Sequence, residues 1–267
     1  MLSNLASDIV SAETGDIDWY YPVGLVVLLQ TALFLFCQVV KDNSHIDVMW
    51  SLTFIAPNLL IMYAQHSQGM EIGVRSLVTN ACITVWGLRL AIHIGVRHTG
   101  EDYRYIHMRK RMMKAGIVVY YVLAFLLIFM LQAALSLIVN CATLFVTASD
   151  AGAAANIYPL IWSDYLGWTL FWIGLIMEAF SDRQLATHIA NQDPNKGKFC
   201  KIGFWRYSRH PNYFGDALLW WGLFLVACSL PNGYIYFSSP LVMTLLLRYV
   251  SGVALLERKQ SKHPEFA

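Results

Sequence analysis

The residues best equipped for chemistry lie together between Gly203 and Asp216, in the run Gly-Phe-Trp-Arg-Tyr-Ser-Arg-His-Pro-Asn-Tyr-Phe-Gly-Asp. Pro211 suits the first turn of a helix, where its missing N–H removes nothing. The unpaired N–H groups of such a turn, together with the helix dipole, favour an anion. Arg206, Arg209 and His210 stand just before it. The pattern predicts a corner that holds a phosphate-bearing cofactor at a membrane surface. Asn212 and Asp216 share a helical face, with Tyr213 in the same corner, and the stretch runs straight into apolar sequence ending at Leu230. Polar groups beside hydrocarbon are costly and need partners.

Other candidate groups flank this corner. Glu178 and Asp182 are four apart on one helical face and repel unless each finds a cation or a donor. They read either as members of structural ion pairs with Arg89, Arg183 or Arg248, or as acceptors for cofactor hydroxyls or amides. Arg89, His93 and Arg97 form a polar stripe at fourfold spacing. Arg97 can snorkel to the membrane surface, whereas Arg89, about 11 Å further along the helix, suits an ion pair or a cofactor contact. Asp47 is either a headgroup-level residue paired with Lys41 or an acid at a cavity mouth. The segment Glu101-Asp-Tyr-Arg104-Tyr can cap a cofactor, and the basic run from Arg109 to Lys114 reads as a solvated cluster facing lipid headgroups. Lys196 and Lys198 lie in a Gly- and Pro-containing loop, where they either meet solvent or phosphate. Five scattered cysteines show no metal-ligand spacing and no disulfide framework.

These groups must be positioned by helices in a bilayer. The 267-residue chain is 57% hydrophobic, only 13% charged, and has mean hydropathy +0.48, which excludes an ordinary soluble domain of this size. The expected fold is all-α, one multi-span domain over residues 1–267 with an acidic tail at 1–18. Seven apolar segments are expected: Trp19–Val40, Ile46–Tyr63, Ile72–Val96, Ile117–Thr147, Trp162–Ala186, Tyr213–Leu230 and Tyr234–Leu256. With that count the basic clusters fall on one side, Arg75 on the other, giving an N-terminus outside and a C-terminus inside. Pro231-Asn232-Gly233 marks a tight turn between the last two segments. The first span reads as an uncleaved signal anchor. The endoplasmic reticulum membrane is the favoured location, with the mitochondrial inner membrane and the plasma membrane as alternatives.

Lys196-Gly-Lys, the Gly203–Asp216 run, Trp220-Trp-Gly222, Asp47-Val-Met-Trp50, Glu101-Asp-Tyr-Arg-Tyr105, Ser181-Asp-Arg-Gln-Leu185 and Val250-Ser-Gly-Val-Ala-Leu-Leu-Glu257 together resemble the DUF1295 branch of the steroid 5-alpha-reductase-like superfamily. The likeness runs from about Ser44 to Pro264 and is fullest over 203–267. It implies a seven-helix fold, an NADPH site near the cytosolic side, and a lipid-open cavity for a steroid-like enone. By that resemblance Asn212 and Asp216 match positions at the nicotinamide end, Asp182 and Arg248 match cofactor contacts, and Asp47 lies near the acid that engages the substrate carbonyl. The chain departs from steroid reductases at Trp86, where they carry a tyrosine, and at Gly252 and Leu256, where they carry histidine and tyrosine.

The leading expectation is therefore an NADPH-dependent reductase of an activated C=C bond in a lipid-soluble substrate. Asp47 or His93 would be the donor to the carbonyl oxygen. Arg89, Arg97, Arg104, Arg206, Arg209 and the lysine loop would offset the cofactor charge. Membrane lipid and the substrate are the expected partners, without nucleic acid. Two other readings stay open: a methyltransferase using S-adenosylmethionine, and a non-catalytic subunit of a larger membrane complex that keeps the fold.

Overall fold

A computed structural model describes residues 2–10, 17–152, 155, 157–191, 199–250 and 252–261. Regular structure among them is helical, apart from isolated bridges pairing Val10 with Ile17 and Ile72 with Ala151. The chain packs as two compact units, Met1–Pro159 and Leu160–Ala267.

In the first unit the helices are α1 (Leu2–Ile9), α2 (Tyr20–Val40), α3 (His45–Met49), α4 (Leu52–Ser67), α5 (Val74–Val96), α6 (Tyr103–Met113), α7 (Ile117–Ala124) and α8 (Leu131–Ser149); a π-helical turn, Phe125–Met130, joins the last two. Among the described residues four stretches are long and apolar enough to cross a membrane: Tyr20–Val40, His45–Ser67, Val74–Val96 and Ile117–Ser149. The chain is accordingly a multi-pass membrane protein. Its α2 is apolar on its outward side as well as much of its inward one: Val26, Leu33 and Cys37 face inward while Leu28, Leu35 and Val39 are exposed, a surface that suits hydrocarbon rather than water. The last stretch has 33 residues. At ~1.5 Å per residue it exceeds the ~30 Å hydrocarbon core, so it tilts or projects.

Several polar groups inside this unit bond to one another, as groups without water must. Asn58 Nδ2 donates to Asn140 Oδ1 (3.2 Å), Thr147 Oγ1 to Asn58 Oδ1 (2.7 Å), and Asn80 Nδ2 to Thr147 Oγ1 (2.8 Å). Pro57 removes a donor from the α4 ladder, and beside it Asn58 and Asn140 both donate to the Phe54 carbonyl. At the start of α5, Arg75 pairs with Asp150 at 3.0 Å, the two side chains being 1% and 2% exposed. Asp150 Oδ2 also accepts from the Ser76 N–H, and Arg75 donates to the carbonyls of Tyr158 and Pro159.

The second unit is built on a helix pair, α9 (Trp162–Ala190) and α10 (Pro211–Ala227). Gly167 meets Gly222 and Gly174 meets Gly215, so the helices run antiparallel with glycine against glycine at two levels. A Cβ on Gly174 would sit 2.5 Å from the Gly215 carbonyl oxygen, and one on Gly222 2.5 Å from that of Gly167. Only a missing side chain permits this backbone approach. Pro211 occupies the first turn of α10, as expected. Asn232, left-handed at φ 64, forms the turn expected at Pro231–Gly233. The segment expected as one span from Tyr234 to Leu256 is instead divided. A 3-10 turn (Gly233–Phe237) leads into α11 (Ser238–Leu245), a π turn (Leu246–Val250) follows, and α12 (Val253–Gln260) begins after a break. Gly252 makes the break with φ −107 and ψ −108, outside the helical region.

Replacing Gly174 by Ala must push α9 and α10 apart, since the Cβ meets backbone rather than a movable side chain. The expected cost is about 1–3 kcal/mol, read as a lower Tm in detergent. Gly24→Ala, with open space around the new Cβ, should leave Tm nearly unchanged. Equal Tm values for G174A and wild type would contradict the close-packed seam.

Candidate functional site

In the first unit a network joins the loop after α2 to the segment that opens α6. Lys41 ends α2 in the left-handed conformation (φ 58), and its carbonyl accepts from Arg109 (2.8 Å). Such a conformation costs a lysine roughly 1–2 kcal/mol, so it needs external support. Arg109 also pairs with Glu101 at 2.6 Å and lies over the Tyr120 ring. Arg109 is thus a structural clamp and not the solvated, headgroup-facing cation that the basic run suggested; Glu101 draws it inward. The Asn43 N–H donates to Glu101 Oε1 (3.0 Å), and the Asp102 N–H to Ser44 Oγ (2.6 Å).

Asp47 on α3 sits at the centre of this network. Tyr105 donates its hydroxyl to Asp47 Oδ1 at 2.6 Å, and Arg104 donates Nη2 to Oδ2 at 2.8 Å. Asp102 caps α6 by accepting from the Arg104 N–H and also accepts from its Nε. Asp47 therefore pairs with Arg104, not with Lys41. Burial pushes the Tyr105 phenol well above its ordinary value, and the Asp47 charge and hydrogen bond add to this against the opposing Arg104 charge. The hydroxyl stays protonated at any physiological pH. Burial disfavours the Arg104 cation, but its bonds to Asp102 and the Asp47 charge outweigh that and raise its pKa.

In the second unit the glycine seam brings a different polar group together. Glu178 and Asp182 on α9 and Asp216 on α10 are buried, and a Cβ on Gly215 would press on the Glu178 backbone. Asn212 Nδ2 donates to Asp182 Oδ1 at 3.1 Å. Its own Oδ1 is buried and accepts no hydrogen bond among the described residues. The 3-10 turn Gly203–Arg206 is anchored to α9 by Phe204 N–H to Gln184 Oε1 and Trp205 Nε1 to the Ser181 carbonyl. Gln184, Gly203, Phe204, Arg206 and Tyr207 line an open hollow there. His210, only 8% exposed, has Nε2 3.4 Å from Glu257 and stacks on Tyr213.

The family model described as a protein of unknown function, DUF1295, matches residues 33–267. The chain belongs to the DUF1295 family. An uncharacterized protein of Schizosaccharomyces pombe, C594.04c, is similar to it: 26% identical over 237 residues, covering 78% of this chain and 66% of the yeast protein. This chain thus spans just under two thirds of that relative. No solved structure matches this DUF1295 chain.

The expected site residues fall into separate groups. Asp47 and Arg104 are joined directly in the first unit. Arg89 is half-buried on α5, while His93 and Arg97 contact each other at 3.0 Å at its end. Asp182 and Asn212 are joined in the second unit, with Glu178 and Asp216 buried on the same two helices. Arg206 and Arg209 are exposed before α10, but His210 is turned to Glu257 rather than to solvent. Arg248 is exposed with its guanidinium over the Tyr249 ring. Lys196 and Lys198 lie outside the described residues. Sequence reasoning missed Tyr105 as the partner of Asp47. No local pattern marked it: Tyr105 is distinguished only in the structure, as the one buried residue of α6.

Burial favours the neutral ring of His210 and sets its pKa below the ordinary histidine value; Glu257 opposes this, and Arg248 and Arg209 reinforce it. The unfolded chain then binds this proton more readily than the folded one. The stabilisation is present above the ordinary value and is lost as pH falls from there through the depressed one. Acidification from about pH 7.5 to about pH 5 should lower Tm, and His210→Gln should lessen that fall. Parallel Tm–pH curves for the two proteins would contradict the assignment.

Proposed function

We propose that this DUF1295 protein is an NADPH-dependent reductase of an activated carbon–carbon double bond in a lipid-soluble substrate. The observation that carries the reading is the Tyr105–Asp47–Arg104 group: a phenol kept protonated and aimed by a carboxylate that an arginine holds. Steroid reductases, which the chain resembles, carry a tyrosine where it has Trp86. Tyr105 restores a phenolic donor from another element.

NADPH, when bound, supplies the hydride. The chain's residues fit such a group at one telling point: the unsatisfied Asn212 Oδ1 is an acceptor suited to a carboxamide N–H, with its amide orientation set by Asp182. Arg206 and Arg209, exposed at the mouth of α10, suit phosphate. Hydride addition to the carbon beta to a carbonyl would move the double-bond electrons to the carbonyl oxygen. Tyr105 would turn its hydroxyl from Asp47 to hydrogen-bond that oxygen, Arg104 would offset the negative charge gathered there, and the alpha carbon would then take a proton from water. On this reading α9, α10 and the divided segment after Asn232 complete seven spans, with the N-terminus outside and the basic segments inside. The endoplasmic reticulum suits such a substrate.

One observation favours a second reading. Both Asp47 oxygens already have partners within the fold, which equally suits a structural cross-link in a non-catalytic subunit of a membrane complex.

Purified protein in nanodiscs separates the two. Wild type should bind NADPH and oxidise it with alpha,beta-unsaturated lipid ketones. Tyr105→Phe should slow turnover by roughly 10²–10⁴ with NADPH affinity unchanged, and Arg209→Ala should weaken that affinity about tenfold. Absence of NADP(H) binding, or retention of S-adenosylmethionine instead, would overturn the proposal.

A further inference from the structure

Asp42, His45 and His98 lie beside the Asp47 group but take no part in it. His98 Nε2 is 2.9 Å from Asp42 Oδ2, and the His45 and His98 rings are 4.6 Å apart, centroid to centroid. One donor atom from each of the three lies within 4.8 Å of the other two. At zinc–ligand bond lengths of ~2.0–2.1 Å, two tetrahedral ligands stand about 3.3 Å apart. The Asp42–His98 pair is already close to that spacing. The remaining adjustment, at most about 1.5 Å, is within reach of rotating the His45 ring.

Two further features distinguish the cluster from a chance ion pair. His45 makes no hydrogen bond to protein among the described residues, so both its ring nitrogens are uncommitted. The backbone on either side is cross-linked: the Asn43 N–H donates to Glu101, and the Asp102 N–H to Ser44. These bonds tie the loop carrying Asp42 and His45 to the segment that follows His98. Asp42 Oδ1 accepts from the Ser44 N–H at 2.8 Å, fixing the carboxylate and leaving Oδ2 toward the histidines. Ligands held by bonds of this kind are oriented before the ion arrives. His45 and His98 are half-buried, open enough for an ion to enter.

We propose that Asp42, His45 and His98 bind one divalent transition-metal ion of the zinc type, with at least one coordination position left for water or an outside ligand. Two imidazoles and a carboxylate select such ions over calcium or magnesium, which take all-oxygen sets. Three protein ligands are the arrangement of zinc sites that keep an open position; closed structural sites use four. The ion would bridge the end of the first span to the end of α5, since the ligands come from both. The inference is independent of the reductase reading.

The test uses the full chain in nanodiscs, its affinity tag removed and its metals stripped with chelator. Zinc chloride is titrated against a chromophoric competitor, and cobalt chloride is added separately to read ligand type from its visible absorption. Wild type should bind one zinc per chain, and loaded cobalt should show the absorption of a low-coordinate nitrogen- and oxygen-ligated ion. His45→Ala and His98→Ala should each weaken zinc at least about tenfold, while His107→Ala, an exposed histidine on α6, should match wild type. His45→Ala breaks no hydrogen bond, so it reports on the site without disturbing the Asp42–His98 contact. Zinc binding no tighter in wild type than in H45A, or a cobalt spectrum unchanged from the hydrated ion, would overturn the proposal.

Discussion

The second unit depends on one contact, backbone against backbone where Gly167 and Gly174 meet Gly222 and Gly215. Helices separated by ordinary side chains lie 8–10 Å apart; these lie closer because four positions carry no Cβ. That closeness is what buries Glu178, Asp182 and Asp216 together and lets Asn212 reach Asp182 across the seam. Larger residues at the seam would leave the acids separated and wet. The acids are therefore brought into proximity by dispersion and backbone fit. This makes the polar group a consequence of the apolar seam.

The first unit solves a different problem, that of fixing a short loop at a helix end. Lys41 adopts a conformation that lysine resists, and the chain then turns into a helix of only five residues, α3. Little in that stretch is stable alone. Glu101, Asp102, Arg104, Tyr105 and Arg109 all reach back to it from α6 or the residues before it. The two segments are ordered by each other, and Asp47 inherits its fixed position from that mutual restraint.

Much of this was legible in the residues. Hydropathy marked the four long apolar stretches, Pro211 marked the start of α10, and Pro231-Asn232-Gly233 marked its sequel. Composition reveals these because each depends on local chemistry. The partnership of Asp47 with Arg104 and Tyr105 was hidden, since it joins residues nearly sixty apart in the chain, and no local pattern encodes which cation an acid will find. The break at Gly252 was hidden for another reason: the apolar run continues through it, and hydropathy does not sense backbone angles. The glycine seam was readable in principle, as equal seven-residue spacings in two helices.

The ion pair between Arg75 and Asp150 carries a consequence for synthesis. Arg75 is buried at the start of α5, but its acid lies at the end of α8 and it also donates to the carbonyls of Tyr158 and Pro159. A guanidinium cannot rest in so dry a place alone. While the chain is emerging, α5 therefore cannot take its final seat until residue 159 has been made. The first unit therefore closes only when its own last residue has emerged.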